Sequence, residues 1–296
     1  MIAENQLYNG TSKNPHPDII NLPAKVLFPA YASDIVRAIE FATANEIDVK
    51  VKSTGHSTYG DSTGSGALLI NMRSYPKYTN PDDGNDGLDA VVECNDDDDD
   101  TNGGDNLTKN MACSLVKARG LSAYLRVGGG QIFDEVLRAI NNWNEQPTDN
   151  ATIKNEYHII SGASGTVGAA GGWLSGGGLG LSQNGRNFGF GIDQVVLYEM
   201  VLPGGQHVRF GPVAWDDAGE EYQQPKTTEV SGYCNSNPYE EDETLWNWTD
   251  CEESIPFEDL WFANRGGGAG RWGVVTSVYF QVSPWNFNYF LHSALF

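Results

Sequence analysis

Residues 162–205 read GASGTVGAAGGWLSGGGLGLSQNGRNFGFGIDQVVLYEMVLPGG, a glycine-dense run that passes into an apolar strand pattern. Glycine has no Cβ atom, so its backbone can adopt positive φ and bring successive N–H groups close to phosphate oxygens. The strand pattern resumes as HVRF after the turn signal PGGQ, which predicts a β-hairpin. The segment therefore predicts a backbone surface that can grip an anionic ligand.

A second glycine-rich loop lies upstream, at residues 53–66, with the sequence STGHSTYGDSTGSG. It follows the strand pattern DVKVK and precedes apolar ALLINM. Before it, VLF and a helix capped near Ser33, with apolar residues from Ile35 to Ala42 at helical spacing, predict a small βαβ unit. One glycine cluster is as compatible with turns as with a ligand, but two in this order favour a dinucleotide gripped from two sides.

The rest of the chain alternates predicted strands and helices, which favours a mixed α/β protein. AVVE, a helix over 107–119, the strand AYLRV and a helix opened by GGGQIFDEVLRAI come before the glycine-dense run. After it, a Trp-rich acidic segment of low periodicity extends over 215–255. DLWFANRGGGAGRWGVVTSVYFQV, at 259–282, then predicts a short helix, a glycine turn and a strand.

The charge balance excludes several classes of partner. Lys and Arg number 18 against 39 Asp and Glu, a formal net charge of -21, so the chain would repel nucleic acid and anionic lipid. No segment approaches the ~20 apolar residues of a transmembrane helix, and the first residues lack the pattern of a signal peptide. We therefore expect neither nucleic-acid nor membrane partners.

Cysteines and glycosylation sequons leave the compartment open. Cys94, Cys113, Cys234 and Cys251 allow two disulfides in three pairings and lack CxxC spacing. N-x-Ser/Thr sequons begin at four asparagines, which is close to chance in a chain so rich in this residue. These are Asn9, Asn106, Asn150 and Asn247.

Several familiar motifs fail in context. Gly268, Gly270 and Gly273 satisfy GxGxxG, but no strand precedes them and no helix with a later acidic residue follows, so a Rossmann NAD site is rejected. Residues 98–103, DDDTNG, match the first six positions of an EF-hand loop, yet Lys109 replaces the bidentate glutamate. No metal site is expected.

Three blocks together resemble the signature segments of FAD-linked oxidases of the vanillyl-alcohol oxidase and berberine-bridge-enzyme type. They are KSTGHSTYGDSTG at 52–64, the run at 162–205, and DLWFANRGGGAGRWGVVTSVYF at 259–280, in family order. The resemblance covers the chain from about Pro23 to Val282. It implies an α+β fold, a PCMH-type FAD-binding domain made of two α/β subdomains.

The resemblance also implies a domain division. Residues 1–22 form an N-terminal extension, 23–75 the small FAD-binding subdomain, 76–283 the larger subdomain with acidic insertions, and 284–296 the start of a missing C-terminal region. That region is the substrate domain of family members, which usually supplies the catalytic base. The catalytic residues are therefore left unassigned, and the chain is interpreted as an isolated or truncated FAD domain.

The resemblance implies FAD as cofactor, bound covalently through His56 to the 8α-methyl group of the flavin. A neutral imidazole is a competent nucleophile, and the small neighbours Gly55 and Ser57 leave it accessible. Some relatives add a cysteine tether where this chain has Ser164, and a hydroxyl is too weak a nucleophile for that bond. The residues expected at the cofactor are Ser53, Thr54, Gly55, His56, Ser57, Thr58, Gly60, Ser62, Gly162, Ser164, Thr166, Val167, Gly171, Gly172, Ser175, Gly176, Gly177, Gly178 and Ile192.

The expected reaction is hydride transfer from a C–H bond alpha to oxygen or nitrogen, in an alcohol or sugar type of small-molecule substrate, to flavin N5. O2 would reoxidise the flavin. Two alternatives stay open: a flavin-binding pseudoenzyme without turnover, and an acidic cation- or carbohydrate-binding protein. The last would use DDDTNG or the tryptophans Trp246, Trp248, Trp261, Trp272 and Trp285.

Overall fold

A computed structural model describes most of the chain. The described residues are 22–57, 62–76, 90–94, 106–145, 157–180, 189–215, 228–268 and 270–284. The DDDTNG segment and Trp285 lie outside them. No helix in these ranges is long and apolar enough to cross a membrane.

A small parallel sheet forms first along the chain. It contains β1 (Lys25–Leu27), helix α1 (Ala32–Ala44), β2 (Val49–Lys52) and β3 (Leu68–Asn71), with strand order β1-β3-β2. Because β3 lies in the centre, all four of its residues are buried. Ile35 on α1 is fully buried, which stabilises the fold by roughly 1.5–3 kcal/mol. The predicted strand–helix–strand unit is confirmed.

The start of α1 differs from the prediction. Tyr31 is the N-cap, and the Asp34 carboxylate accepts from the N–H groups of Ala30 and Tyr31 at 2.9 and 3.1 Å. Ser33 lies inside the first turn and is fully buried. The predicted cap near Ser33 is wrong because an acidic side chain in the first turn satisfies the amides that precede the helix.

The larger sheet has seven strands, all of whose pairs are antiparallel, in the order β10-β9-β8-β7-β11-β5-β4. The remaining strands of the described chain are β4 (Val91–Glu93), β5 (Ala123–Gly128), β6 (Tyr157–His158), β7 (Val195–Val201), β8 (His207–Pro212), β9 (Val230–Asn235), β10 (Trp248–Thr249), β11 (Val274–Gln281) and β12 (Ser283–Pro284). β6 pairs with β12 in a separate two-stranded sheet. The predicted hairpin is β7–β8, closed by the PGGQ turn, in which Gly205 has φ +85°.

Helices cover both faces of the seven-stranded sheet. They are α2 (Asn106–Ala118), α3 (Phe133–Glu145), the short α4 (Gly172–Ser175) and α5 (Phe257–Asn264). Residues of α3 and α5 join the main hydrophobic core with one face of β5, β7 and β8. α2 packs on the opposite face, with Leu197 and Tyr279. Helix α1 also packs on this second face, against Val201 of β7. Side chains two residues apart on a strand point to the same face, so Glu199 of β7 lies on this face as well.

Two disulfides select one of the three pairings that the sequence left open. Cys94 bonds to Cys113, and Cys234 bonds to Cys251. The first joins the end of β4 to α2, and the second joins β9 to the segment that follows β10. Each closes a short loop, which in the chain-entropy account contributes about 3 kcal/mol by restricting the unfolded chain.

The Trp-rich segment, predicted to be of low periodicity, contributes β9 and β10 to the sheet. Trp246 and Trp248 are buried, with their rings 4.8 and 5.0 Å from the ring of His207, and Trp261 is buried in the main core. Trp272 is 39% exposed. Three of the five tryptophans therefore cannot form an exposed carbohydrate platform, because they pack inside the fold.

A buried carboxylate lies on the face of the large sheet that packs against α1. Oε1 of Glu199 accepts from Thr276 Oγ1 at 2.8 Å and lies 3.0 Å from His207 Nε2. Its Oε2 accepts from Arg209 Nε at 2.8 Å and from Arg126 Nη2 at 3.3 Å. Burial alone would raise the pKa of Glu199, but Arg209, the His207 hydrogen bond and Arg126 outweigh it, so that pKa lies well below its ordinary value.

Replacing Glu199 tests this network. In Glu199→Gln, buried Arg209 and Arg126 lose the carboxylate beside them, while Arg126 retains its ion pair with Glu243. The free energy of unfolding at neutral pH should therefore fall by about 3–5 kcal/mol in urea titrations. Because the folded pKa is depressed, this contribution is present above the ordinary glutamate pKa of about 4.3 and is lost as pH falls further. The difference between the variant and the native protein should therefore narrow in acid.

The matched control is Glu253→Gln, at an exposed position. It should change the free energy of unfolding by less than about 0.5 kcal/mol. An equally small change for Glu199→Gln would contradict the assigned role of the network.

Candidate functional site

The first glycine-rich loop docks directly on the second. The Ser53 hydroxyl donates to the carbonyl of Gly129 at 3.0 Å, and the N–H of Gly168 donates to Thr54 Oγ1 at 3.2 Å. A Cβ on Gly168 would lie 2.3 Å from Ser53 Oγ, and one on Gly171 would lie 2.7 Å from Ser53 Cβ. Glycine is required at both positions because any side chain would push the two segments apart.

His56 connects the two segments at their surface. Its Nε2 lies 3.0 Å from Thr166 Oγ1, and that hydroxyl lies 3.1 Å from Ser164 Oγ. His56 is half-buried, whereas Thr166 and Ser164 are exposed. The Thr166 hydroxyl therefore links His56, the predicted site of flavin attachment, to Ser164, which occupies the position of the second attachment site in some relatives.

Glycines with positive φ shape the backbone around this contact. Gly55, directly before His56, is buried and has φ +84°, a conformation that L side chains rarely adopt. Gly177 has φ +105°, and a Cβ there would meet nothing within 4 Å. Gly178, at φ +73°, packs against the backbone of Gly191. Gly177 thus presents open backbone, while Gly55 and Gly178 allow the chain to turn.

The amide donors of residues 175–178 are already used within the turn at α4. Ser175 and Gly176 donate to the carbonyls of Gly171 and Gly172, and the N–H groups of Gly177 and Gly178 donate to Leu174 and Trp173. In this conformation, residues 175–178 can approach a ligand closely, but their N–H groups do not point to one. The sequence could not indicate this, since a glycine count carries no information on which amides are engaged.

The third block is held against the second by a partly buried ion pair. Arg265 donates to the carbonyl of Ile192 at 2.9 Å and pairs with Asp193 Oδ1 at 2.8 Å. The N–H of Gly268 donates to the carbonyl of Ser175 at 3.2 Å. All three sequence blocks therefore converge in one region, which we call the three-block cleft: residues 53–57, 164–178 and 265–268 together.

A further ion pair, not predicted from the sequence, links the small sheet to this region. Arg73 comes shortly after β3 in the chain. Its guanidinium contacts both carboxylate oxygens of Glu135 at 3.2 Å and donates to the carbonyl of Gly130. Glu135 lies in the first turn of α3 and also accepts from the N–H of Ile132 at 3.1 Å. Arg73 thus fixes the position of the small sheet beside the residues that contact Ser53.

The other predicted site residues have varied positions. Gly162 packs against the rings of Phe133 and Trp173, and Ile192 is 9% exposed in the main core. Ser62 is half-buried. Ser57, Val167 and Gly172 belong to the segments of the cleft, whereas Thr58 and Gly60 lie outside the described residues.

A separate cavity of about 470 Å³ lies between α1, β2 and residues 270–274. Its walls include Glu46, Asp48 and Arg271 together with apolar side chains such as Ile39 and Val274. In the described part of the chain, none of the predicted cofactor residues lines it. The contacts of His56, and not this cavity, therefore define the candidate site.

Sequence comparisons return curated FAD-linked oxidoreductases. The chain is 24% identical over 270 residues to the FAD-linked oxidoreductase ffsJ of Aspergillus flavipes, covering 89% of this chain and 29% of that protein. It is 25% identical over 264 residues to the FAD-linked oxidoreductase apf9 of Gibberella fujikuroi, covering 89% and 32%. The chain thus spans about a third of the length of these relatives. No family model matches it.

Structural comparisons return flavoproteins with the same fold. A VAO-type flavoprotein of Myceliophthora thermophila C1 aligns with TM-score 0.53 and 20% identity, over 88% of this chain and 31% of that one. Berberine bridge enzyme from Eschscholzia californica aligns with TM-score 0.51 and 17% identity, over 95% and 38%. The expected α+β fold of a FAD-binding domain is confirmed. The chain is thus similar in sequence to curated FAD-linked oxidoreductases and similar in fold to flavoproteins of the vanillyl-alcohol oxidase and berberine bridge enzyme type.

Proposed function

We propose that this chain is the FAD-binding part of a flavin-dependent oxidoreductase and that the three-block cleft holds the cofactor. The observation that carries the proposal is the contact between His56 and Thr166, 3.0 Å apart, from two glycine-rich segments far apart in the sequence. The imidazole is half-buried and lies where the two segments meet at the surface. A ligand that binds against the outer surface of this junction would lie within reach of the imidazole.

The backbone of the cleft fits a dinucleotide. Close approach of protein backbone to a pyrophosphate requires residues without Cβ, and the cleft supplies them where a side chain would fill the space. At Gly177, a Cβ would meet no other atom within 4 Å, so the backbone there faces open space. Gly55 lets the first loop turn because it adopts positive φ. Because the N–H groups of residues 175–178 are engaged within their own turn, these glycines support the proposal by allowing close approach to the pyrophosphate and not by donating N–H groups to it.

His56 is proposed to carry the flavin covalently. A neutral imidazole is nucleophilic, and the exposed hydroxyl of Thr166 lies at hydrogen-bond distance from Nε2, where it can hold the ring in one orientation. Ser164 Oγ lies in the same hydrogen-bonded group but is far less nucleophilic than a thiolate. The proposal is therefore a single tether, through His56.

When bound, FAD supplies a hydride acceptor for a C–H bond alpha to oxygen or nitrogen, and O2 restores its oxidised form. We propose a small-molecule alcohol or sugar as the substrate class. The residues of this chain bind and orient the cofactor: Arg73 and Arg265 fix the segments, and Thr166 orients His56. We propose that the catalytic base lies in a region equivalent to the part of the longer relatives that this chain does not match. The domain that covers the flavin ring is proposed to lie in the same region.

The covalent tether is tested by acid denaturation followed by absorbance spectroscopy of the polypeptide. The native protein should keep its flavin absorbance after precipitation and washing, and His56→Ala should lose it to the supernatant. Ser164→Ala is the matched control. Ser164 belongs to the same hydrogen-bonded group as His56, but its hydroxyl forms no bond to the flavin in this proposal, so the variant should keep its flavin.

Flavin released from both native protein and His56→Ala would overturn the covalent link but keep the cofactor. A native protein that never carries flavin would overturn the proposed function itself. A flavin that stays oxidised with every alcohol and sugar under anaerobic conditions would favour the pseudoenzyme.

Docking of the first loop on the second is tested at Gly171. Gly171→Ala places a Cβ 2.7 Å from Ser53 Cβ, so flavin retention should fall and the free energy of unfolding should drop by about 1–3 kcal/mol. Gly176→Ala is the control, since its nearest contact is 3.3 Å away. Adding Ser53→Gly to Gly171→Ala should restore part of the loss, measured as a coupling energy in a double-mutant cycle. Additive effects of the two substitutions would contradict this contact.

A further inference from the structure

We propose that Asn247 carries an N-linked oligosaccharide, added while the protein passes through an oxidising secretory compartment. The proposal rests on the disulfides and on the local structure around one sequon, Asn247-Trp248-Thr249. It is independent of the cofactor.

The disulfides identify the type of compartment. All four cysteines lie in described parts of the chain and are paired, as Cys94–Cys113 and Cys234–Cys251. Disulfides of this structural kind persist in the secretory pathway and outside the cell, whereas cytosolic thiols are kept reduced. Two such bridges indicate that the chain folds in an oxidising compartment, and the proposal identifies this with the eukaryotic secretory pathway, in which asparagines of sequons are glycosylated.

The strand structure presents the sequon correctly. Along β10 and the residue before it, Asn247 and Thr249 are exposed and Trp248 is buried. This alternation follows the two-residue period of a strand, so the asparagine and the threonine of the sequon point to the same, solvent-facing side. The buried Trp248 anchors them, because it packs against His207 in the interior.

The asparagine side chain keeps a nitrogen that can be modified. Nδ2 donates one hydrogen to Ser236 Oγ at 2.8 Å, while the main-chain carbonyl of Asn247 accepts from Ser236 N at 2.8 Å and from Ser236 Oγ at 3.1 Å. An amide nitrogen has two hydrogens. A glycan on Nδ2 replaces the second and leaves the bond to Ser236 in place.

The transfer uses a lipid-linked oligosaccharide diphosphate as donor. A bond forms between Asn247 Nδ2 and the anomeric carbon of the sugar, and the bond from that carbon to the diphosphate oxygen breaks. The lipid diphosphate leaves with the electron pair, and the displaced amide proton goes to a base of the transferase. No oxidation or reduction takes place.

The proposal is confined to the sequon whose side-chain surroundings are described. Asn9 and Asn150 lie outside the described residues, and Asn106 is the first residue of α2. The number of sequons is close to chance, but exposure directly before β10, close in sequence to the Cys234–Cys251 bridge, is a property of Asn247 itself.

The position on the sheet is also compatible with a glycan. Among the described strands, β10 is an edge strand, so a glycan there would shield unpaired backbone from other chains. Four strands separate β10 from β5, whose end meets Ser53, so the glycan leaves the three-block cleft open.

The experiment uses protein purified from the cells that produce it naturally. Enzymatic release of N-glycans in heavy-oxygen water converts a glycosylated asparagine to a labelled aspartate, so the peptide containing residue 247 should gain the label in mass spectrometry. In a eukaryotic secretory host, Thr249→Ala should abolish the modification and Thr249→Ser should retain it. Flavin content should be the same in both variants, since Thr249 lies outside the cleft.

An unlabelled Asn247 peptide from protein with an intact Cys234–Cys251 bridge would overturn the proposal. So would natural protein in which these cysteines are reduced. A Thr249→Ala variant that keeps the label would show that another residue is modified, which equally excludes Asn247.

Discussion

The contact of Ser53 with Gly168 and Gly171 is the constraint on which the rest of the site depends. The serine follows β2 of the small sheet, while the glycines belong to a segment that lies against α3 of the larger unit. No Cβ fits at either glycine, so the side chain of Ser53 packs directly on the glycine backbone from a distant part of the chain. That approach brings His56 to Thr166, and every functional proposal for the cleft follows from it.

A buried charge network of the large sheet lies next to the small sheet. Glu199 contacts Arg209, Arg126 and His207, on the face of the large sheet that packs against α1. Tyr75, which follows β3, is buried beside this group, and its hydroxyl has no hydrogen-bond partner among the described residues. Burial, followed by the charges of Glu243 and Glu199, raises the pKa of Tyr75 well above its ordinary value, so the phenol stays neutral. The small sheet is thus held by packing at one end and positioned over compensated charges at the other.

Local patterns predicted local structure well. The PGGQ turn and the alternation around it correctly indicated the β7–β8 hairpin, because a hairpin is specified by its own residues. Long-range contacts were not predictable in this way: Arg265 and Asp193 are 72 residues apart, and the partners of Glu199 come from β5, β8 and β11. The cysteine pairing was likewise open, since four cysteines allow three arrangements and only the fold selects one. The same limit applies to the cleft, where the sequence indicated His56 and Thr166 but not their contact.

A crystal structure of the flavin-containing protein tests the central claim most directly. The account predicts a flavin in the three-block cleft, with electron density continuous between its ring and the imidazole of His56, and with Ser53 still packed on Gly168 and Gly171. A flavin bound in another part of the molecule, or a flavin in the three-block cleft with no density joining it to His56, would contradict it.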